Sequence, residues 1–361
     1  MKYLFIVQGD GRGHMTQAIA LSEMLRRNGH EVVEVLVGKS KSREIPDFFY
    51  KRIGAKCRVY DSPSFIFKKN QKHIHPLKTL IYNINPKRLR KYKKSIEMIN
   101  RRINKKAPDV VINFYEILAG LSHLRFSFNI PFINIGHQFL IKHPDYPHAK
   151  GDGQGMMLFR LHTLLCGIGA TKTLALSFYP LKDFIPDRIA VVPPLLRKEV
   201  LSLVPGKGDY ILGYMLNQGY ENEVREWHKK HSDTKLDFFW DKKEAGAETV
   251  LDKNLILHQL DDEKFLQYMA NCKGYITTAG FESVCEAMYL SKPIMMIPVH
   301  LEQEVNAADA ESTGWGITGT SFDISVLLEY IESCKDKSND TFREWVNKGE
   351  ELFLKHLTTL V

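Results

Sequence analysis

The sequence predicts two Rossmann-like, doubly wound α/β domains facing a cleft, and three observations lead there. Short runs rich in Val, Ile and Phe alternate with longer stretches of helical period, the pattern of βαβ units on parallel sheets. The pattern breaks around residues 191–208, where Pro193-Pro194, Pro205, Gly206 and Gly208 interrupt any regular element, and then restarts. With 361 residues the chain is long enough for two domains of roughly 150 residues each. The expected division is a first domain over residues 1–195, a second over 205–340, and a final helix within 341–361 that returns to the first.

Residues 2–8 read as a buried strand, 9–13 as a turn, and 14–28 as a helix with Ala18, Leu21, Met24 and Leu25 on one face. Gly29 ends that helix, because glycine tolerates the left-handed conformation of a helix terminus. Strands follow at 31–37, 109–114 and 131–135, and residues 65–106 form an insertion with a long basic helix. In the second half, strands are expected at 210–215, 236–240, 255–258, 274–277 and 294–298. Helices over 262–270 and 283–290 fall between them, and the last helix covers about 341–359.

Composition narrows the function classes. At 44% apolar and 25% charged residues, packed cores are expected and global disorder is not. The five cysteines, Cys57, Cys166, Cys272, Cys285 and Cys334, are scattered without a C-x-x-C pair. That suggests neither a disulfide framework nor a structural zinc site, and points to a reducing cytoplasm. The apolar run near Met1 is too short for a secretion signal, and no stretch approaches the roughly 20 apolar residues that cross a bilayer. His143, His148 and His162 lack metal-ligand spacing, so no metal and no cofactor are expected. Charge is divided unevenly: residues 1–200 hold 34 Lys+Arg against 15 Asp+Glu, a net of +19, and the remainder carries −11. Between Lys68 and Lys106 there are fourteen basic residues and one acid, Glu97. Such a surface seeks phosphates.

Two motifs carry chemistry. Gly9-Asp10-Gly11-Arg12-Gly13-His14 joins a strand to a helix, and its glycines let the backbone approach a ligand at a helix start that favours negative charge. The spacing G-x-G-x-G and the following strand end, Leu36-Val37-Gly38-Lys39, argue against NAD or FAD. His14 at the mouth of this loop can act as a general base, or can merely pack or cap the helix. The second motif runs from Thr277-Thr278-Ala279-Gly280-Phe281-Glu282-Ser283 through Glu286, then Lys292-Pro293 to Pro298, then Glu302-Gln303-Glu304-Val305-Asn306-Ala307. A strand, a turn of small residues and a helix offer free amides and the hydroxyls of Thr278 and Ser283 to a phosphate. Glu286, about one helical turn after Ser283, can accept two hydrogen bonds from a vicinal diol such as ribose. Glu302 and Gln303 follow the next strand, where they can read sugar hydroxyls. Phosphate, ribose and sugar together describe a nucleotide sugar.

The order Ala-Gly-Phe-Glu-Ser-x-x-Glu-Ala, x-Pro-x-x-x-x-Pro, Glu-Gln-x-x-Asn-Ala resembles the donor-binding segment of inverting GT-B glycosyltransferases. It is similar to the peptidoglycan N-acetylglucosaminyltransferase that makes lipid II and to the UDP-glycosyltransferases of plants and animals. The loop from Gly9 to His14 resembles the acceptor-domain opening of the same enzymes. The resemblance implies the GT-B fold and a metal-independent hexosyltransferase, with UDP as the donor's nucleotide. It implies that Gly280 and Ser283 hold the diphosphate at the helix starting near Phe281, that Glu286 holds the ribose, and that Glu302 with Gln303, followed by Asn306, holds the sugar. It makes His14 the base, with Glu116 its candidate carboxylate partner and Asp109 a weaker one. Gly11, Gly13 and His137, the last beside Gln138, lie on the acceptor side. Asn217 falls near the diphosphate or in a simple polar turn. His258 falls where the base is read, or is a satisfied strand-end histidine. Two departures stand out: Thr278 replaces a common phosphate-binding histidine, and Glu302 replaces a commoner Asp.

The basic segment is interleaved with Phe65, Phe67, Ile81, Tyr82 and Tyr92. That fits docking on an anionic membrane surface, with each basic side chain contributing about 1 kcal/mol, and hence a lipid-linked acceptor reached from the cytoplasmic face. It also fits a solvated helix packed by its own aromatic stem. Nucleic acid is not an expected partner, since no such motif occurs and the second half is acidic. Two alternatives share the two-domain architecture: a UDP-sugar 2-epimerase and a non-catalytic nucleotide-sugar-binding module.

Overall fold

The computed structural model describes residues 1–41, 43–64, 66, 76–146, 153–215, 220–240, 246–334 and 337–359. Its first seven-stranded sheet comprises β1 (Lys2–Gln8), β2 (Glu31–Lys39), β3 (Cys57–Asp61), β4 (Val110–Phe114), β5 (Phe132–Gly136), β6 (Lys172–Leu176) and β7 (Ile189–Val192). The strands lie in the order β3-β2-β1-β4-β5-β6-β7 and all pair in parallel. The second sheet is built from β8 (Tyr210–Met215), β9 (Lys235–Trp240), β10 (Glu248–Asp252), β11 (Leu255–Gln259), β12 (Gly274–Thr277), β13 (Ile294–Met296) and β14 (Ile317–Thr318). Its order is β10-β11-β9-β8-β12-β13-β14, with only β10 antiparallel. The α/β class and paired parallel sheets are those the sequence predicts.

Residues Tyr3 through Val7 are all buried, as a central parallel strand covered by helices on both faces requires. The order reverses between β1 and β4 in one sheet and between β8 and β12 in the other, and each reversal opens a crevice at the carboxyl ends of the strands. The main apolar cluster runs from Val7, Phe114 and Ile135 of the first sheet to Leu212, Phe239 and Tyr275 of the second.

Several element boundaries differ from the sequence reading. The first helix, Arg12–Arg27, begins two residues early with Gly13 inside it, and Gly29 takes φ +74° beyond its end. Strands β3, β6, β7, β10 and β14 are additional to the sequence reading: β7 runs into the start of the stretch read as a boundary and ends just before Pro193, β14 has two residues, and β10 is an edge strand. Strand β13 stops at Met296, the Ile297 amide makes one further bond to the Thr277 carbonyl (2.8 Å), and Pro298 has no N–H to continue. The expected final helix is two, Asp340–Asn347 and Gly349–Thr358, broken at Lys348. A Cβ on Gly349 would lie 3.3 Å from Pro193 Cγ, so the chain turns where it crosses the Pro-Pro step. This pair of helices touches both sheets' surroundings: Trp345 Nε1 donates to the Ser177 carbonyl (2.9 Å), Tyr3 Oη to the Leu357 carbonyl (3.3 Å), and Arg343 Nε to the Tyr289 carbonyl (2.8 Å).

The basic helix, Pro86–Lys106, starts on the Asn85 side chain, which accepts from Lys87 N, and buries Tyr92, Ser95, Ile99 and Ile103 at helical spacing. Part of its charge is structural. Arg102 donates twice to the fully buried Glu34 of β2 (2.6 and 2.7 Å), Arg58 donates once (3.0 Å), and Lys91 pairs with Asp61. Burial alone would raise the Glu34 carboxyl, but the bonds from Arg102 and then Arg58 outweigh it and hold the group below its ordinary range. Lys87, Arg90, Lys93, Lys94, Arg101 and Lys105 remain exposed. Phe65, Phe67 and Lys68 of the expected patch lie outside the described residues. Arg102→Ala, which leaves the Glu34 carboxylate buried with only Arg58, is expected to cost the first half about 3 kcal/mol in urea unfolding. An unchanged midpoint would show that the helix docks by its apolar face alone.

Candidate active site

The loop after β1 is shaped by close neighbours. A Cβ on Gly9 would meet Val37 Cγ1 at 2.8 Å and the Gly38 carbonyl at 2.9 Å, so glycine lets the loop lie against β2. Asp10 accepts from Ser40 N (2.8 Å). Gly11 has space around it, whereas a Cβ on Gly13 would stand 3.1 Å from Glu282 Cγ of the other half. The loop is therefore pressed hardest against β2 of its own half at Gly9, and more loosely against the facing crevice at Gly13.

His14, in the first turn of the helix Arg12–Arg27, sits between two glutamines. Its Nδ1 is 3.2 Å from Gln17 Oε1, and its Nε2 is 3.5 Å from Gln138 Nε2. Gln17 Nε2 donates to Glu282 Oε1 (2.5 Å), and Gln138 Nε2 donates to Glu302 Oε1 (2.7 Å). With the amide nitrogens turned to carboxylates, Gln17 presents an oxygen to His14, so the imidazole proton belongs on Nδ1 and Nε2 carries the lone pair. Burial lowers the His14 pKa below the ordinary 6.5, against the opposing Glu302 charge and Gln17 bond. The ring stacks on Tyr115 (centroids 5.7 Å), which also meets His162 and hydrogen-bonds Thr163 Oγ1 (2.7 Å). Tyr115 holds φ +56° just past β4, a conformation that costs energy in a non-glycine residue and here places the ring beside His14. Burial depresses His162 to about 4.

On the facing side, β12 ends in Thr277, followed by buried Thr278 and by Ala279 at φ +61°. Gly280 then precedes the helix Phe281–Tyr289 with no side chain capping it, so the amides of the first turn have no side-chain acceptor at the cap. Ser283 Oγ returns a bond to the Gly280 carbonyl (3.2 Å). Asn306 donates to the Ala279 carbonyl (3.2 Å) and Gln303 accepts from Val299 N (3.0 Å), so these two side chains brace the turns around the crevice. Glu302, at the start of the helix Leu301–Ser312, faces Gln138 and His14. Glu286 gives one oxygen to Arg197 Nε and Nη2 (2.8 and 2.6 Å), both residues being nearly fully buried, so it is not an open acceptor in this structure.

The structure also places expected residues elsewhere. Glu116 is fully buried as the N-cap of the helix Ile117–Phe126, accepting from Ser62 Oγ (2.6 Å) and Leu118 N (3.2 Å). Burial raises its carboxyl to about 7, and none of its hydrogen bonds reaches His14. Asp109 accepts from Lys2 N (2.7 Å) at the amino end of β4, opposite the crevice. His258 is enclosed by Asp237 (2.6 Å), Phe239 and Tyr268, the satisfied strand-end histidine rather than a group facing a ligand. His137 stacks on Phe281 (centroids 4.0 Å), with Nδ1 against the Leu176 carbonyl (2.8 Å) and Nε2 against Tyr146 Oη (2.9 Å), and burial lowers it to about 4. It is a buried wedge between the crevices. Asn217 lies outside the described residues. Hollows of about 300 and 440 Å³ share Lys142, Leu164 and Asp187 and are lined by none of His14, Gln138 or Glu302. Among the described residues no group of three or more His, Cys, Asp and Glu is placed to hold a metal ion, and no helix is long and apolar enough to cross a membrane.

The sequence reading missed Gln17, Glu282, Tyr115 and Arg197. Gln17 had a signal, since it lies three residues after His14 on the same helix face. Glu282 and Arg197 become visible only where the two crevices meet, and Tyr115 only where the end of β4 is brought beside His14.

Residues 1–334 match the family model described as Glycosyl transferase family 1. An uncharacterized glycosyltransferase of Methanosarcina acetivorans is 25% identical over 350 residues, covering 88% of this chain and 83% of that one. A Caenorhabditis elegans protein named as a putative UDP-glucuronosyltransferase, ugt-48, is 32% identical over 82 residues; this match takes in 22% of the chain and 16% of that protein's length. Phytolacca americana UGT2, solved with UDP-2fluoro-glucose and pterostilbene, superposes with a TM-score of 0.66 at 11% identity, covering 99% of each chain. The glycosyltransferase SnogD from Streptomyces nogalater gives 0.59 at 16% identity, covering 100% of this chain and 99% of that one. At these identities the two structural likenesses speak for the GT-B fold.

Proposed function

The chain belongs to glycosyl transferase family 1 and is a glycosyltransferase of GT-B fold, and we propose that it transfers a hexose from a UDP-sugar to an acceptor hydroxyl with inversion. The observation that carries this reading is the apposition of His14 and the uncapped start of the helix Phe281–Tyr289, linked through Gln17 and Glu282. A base and an anion seat then face each other across the space a donor sugar would occupy.

His14 Nε2 takes the proton of the acceptor hydroxyl as that oxygen attacks the anomeric carbon. The bond from that carbon to the diphosphate oxygen breaks, and its electron pair leaves with the nucleotide. The negative charge that develops meets the first-turn amides after Gly280, donors already in place before reaction, and the hydroxyls of Thr278 and Ser283, the latter giving up its bond to the Gly280 carbonyl. Glu302 with Gln138 reads the sugar hydroxyls. Arg197 takes Oε1 of Glu286, so the ribose would be read by the other carboxylate oxygen, Oε2. The charge is met without a divalent ion, so turnover is expected to persist in a chelator.

The acceptor in this reading is lipid-linked and reached at the anionic cytoplasmic face of a membrane. Leu80, Ile81, Ile84 and Leu89 are at least half exposed beside the exposed Lys87, Arg90, Lys93 and Lys94, an apolar surface rimmed by cations. Flotation with liposomes is expected to require anionic lipid and to weaken when Lys93 and Lys94 become Glu; binding that ignores lipid charge would remove this surface from the account.

His14→Ala should lower kcat about a hundredfold or more while UDP-sugar binding stays unchanged. Since the neutral imidazole is the base, activity is lost as pH falls through the His14 pKa. Burial depresses that pKa, so the acid limb of kcat belongs below the ordinary 6.5. Full turnover by His14→Ala would exclude it as the base.

A further inference from the structure

Each ring nitrogen of His14 faces a glutamine of its own half, and each glutamine is bonded to a glutamate of the other half. On one side the chain is His14 Nδ1 to Gln17 Oε1 (3.2 Å) and Gln17 Nε2 to Glu282 Oε1 (2.5 Å). On the other, Gln138 Nε2 stands 3.5 Å from His14 Nε2 and donates to Glu302 Oε1 (2.7 Å). The first chain differs in kind. Gln17 and Glu282 are both buried, and Glu282 is the second residue of the helix whose start seats the diphosphate in the reading above. Oε1 of Glu282 accepts from the Gln17 amide nitrogen, which leaves the amide oxygen toward the imidazole. Burial raises the Glu282 carboxyl to about 8, and in the protonated acid Oε1 accepts as the carbonyl oxygen.

We propose that Gln17 is a positioning residue that fixes the Nδ1–H tautomer of His14 by way of Glu282, so that the base is complete only when the two halves are closed on each other. This rests on His14 being the base. Gln17 takes the place that Glu116, tied to Ser62 and Leu118, does not fill. A neutral amide orients the ring without stabilising imidazolium as strongly as a carboxylate would. The second chain is the exchangeable one: a sugar hydroxyl that takes the Gln138 position on Glu302 frees Nε2 toward the acceptor. The ionisable groups around the imidazole are Glu302 from the helix Leu301–Ser312, Glu282 through Gln17, Tyr115 after β4, and His162 from the helix Gly153–Cys166.

Nitrogen-15 NMR of the full chain without ligand, together with kcat against pH, tests this in wild type, Gln17→Leu, Gln17→Glu and Glu282→Ala. Wild-type His14 is expected to carry its proton on Nδ1, and Gln17→Leu to populate both tautomers. In Gln17→Leu, kcat should fall at least about tenfold, as expected when the imidazole proton can occupy the wrong nitrogen, with donor KM changed less than about twofold. Glu282→Ala should give a smaller loss of the same kind. Gln17→Glu should keep the tautomer and move the acid limb to higher pH. A wild-type proton on Nε2, or a Gln17→Leu variant with unaltered tautomer and kcat, would overturn the proposal. Full activity in His14→Ala would instead remove the base while leaving the tautomer result standing, so the two failures are distinct.

Discussion

The hydrogen bond from the Gln17 amide to the Glu282 carboxylate joins the crevice of one parallel sheet to that of the other, and the site's layout depends on it. Both groups are buried, and a buried polar group left without its partner costs about 1–3 kcal/mol, so the two halves are held to a narrow range of placements. The same approach leaves little room at position 13, where a Cβ would stand 3.1 Å from Glu282 Cγ, and sets the Phe281 ring flat on His137. Each doubly wound sheet opens its crevice at the carboxyl ends of its strands, and only a face-to-face arrangement places the end of β1 opposite the end of β12. The two closing helices, reaching from Tyr289 to Ser177, hold that arrangement from behind.

Central elements were legible in the sequence because burial on both faces leaves an uninterrupted apolar run, as in β1 and β4. Strands with little burial to announce them were not: β14 is two residues long, and β10 alternates at an edge. The break near residue 348 comes just before Gly349, a weak helix former that a reading of 341–359 as one helix passed over, and where a Cβ would lie 3.3 Å from Pro193 Cγ. At the site, His14 and the turn around Gly280 were readable because strand, small residues and helix occur in fixed order. Partners were not. Glu116 looked like a companion to His14 by its place after β4, yet an N-cap glutamate folds back on its own helix. Glu286 looked open, and Arg197, 89 residues earlier in sequence, closes on it. Pairings made by tertiary contact leave no local pattern to read.

The excess of basic residues in the first half divides in the structure into two populations. Arg102 and Arg58 offset the burial of Glu34, and Lys91 pairs with Asp61, so these residues help anchor the long helix to β2 and β3. The side chains left facing water are spaced around the apolar ones at Leu80, Ile81, Ile84 and Leu89. The charge that stabilises the fold is therefore distinct from the charge available to a partner, although both arise from one run of sequence.

A crystal structure of the complex with UDP decides whether the two crevices form one donor site. The diphosphate oxygens should lie within hydrogen-bonding distance of the amides of Phe281, Glu282 and Ser283, with the Gln17 to Glu282 bond intact and His14 Nε2 open toward the space beyond the terminal phosphate. A nucleotide bound away from this helix start, or a His14 ring released from Gln17 in the closed complex, would contradict that arrangement.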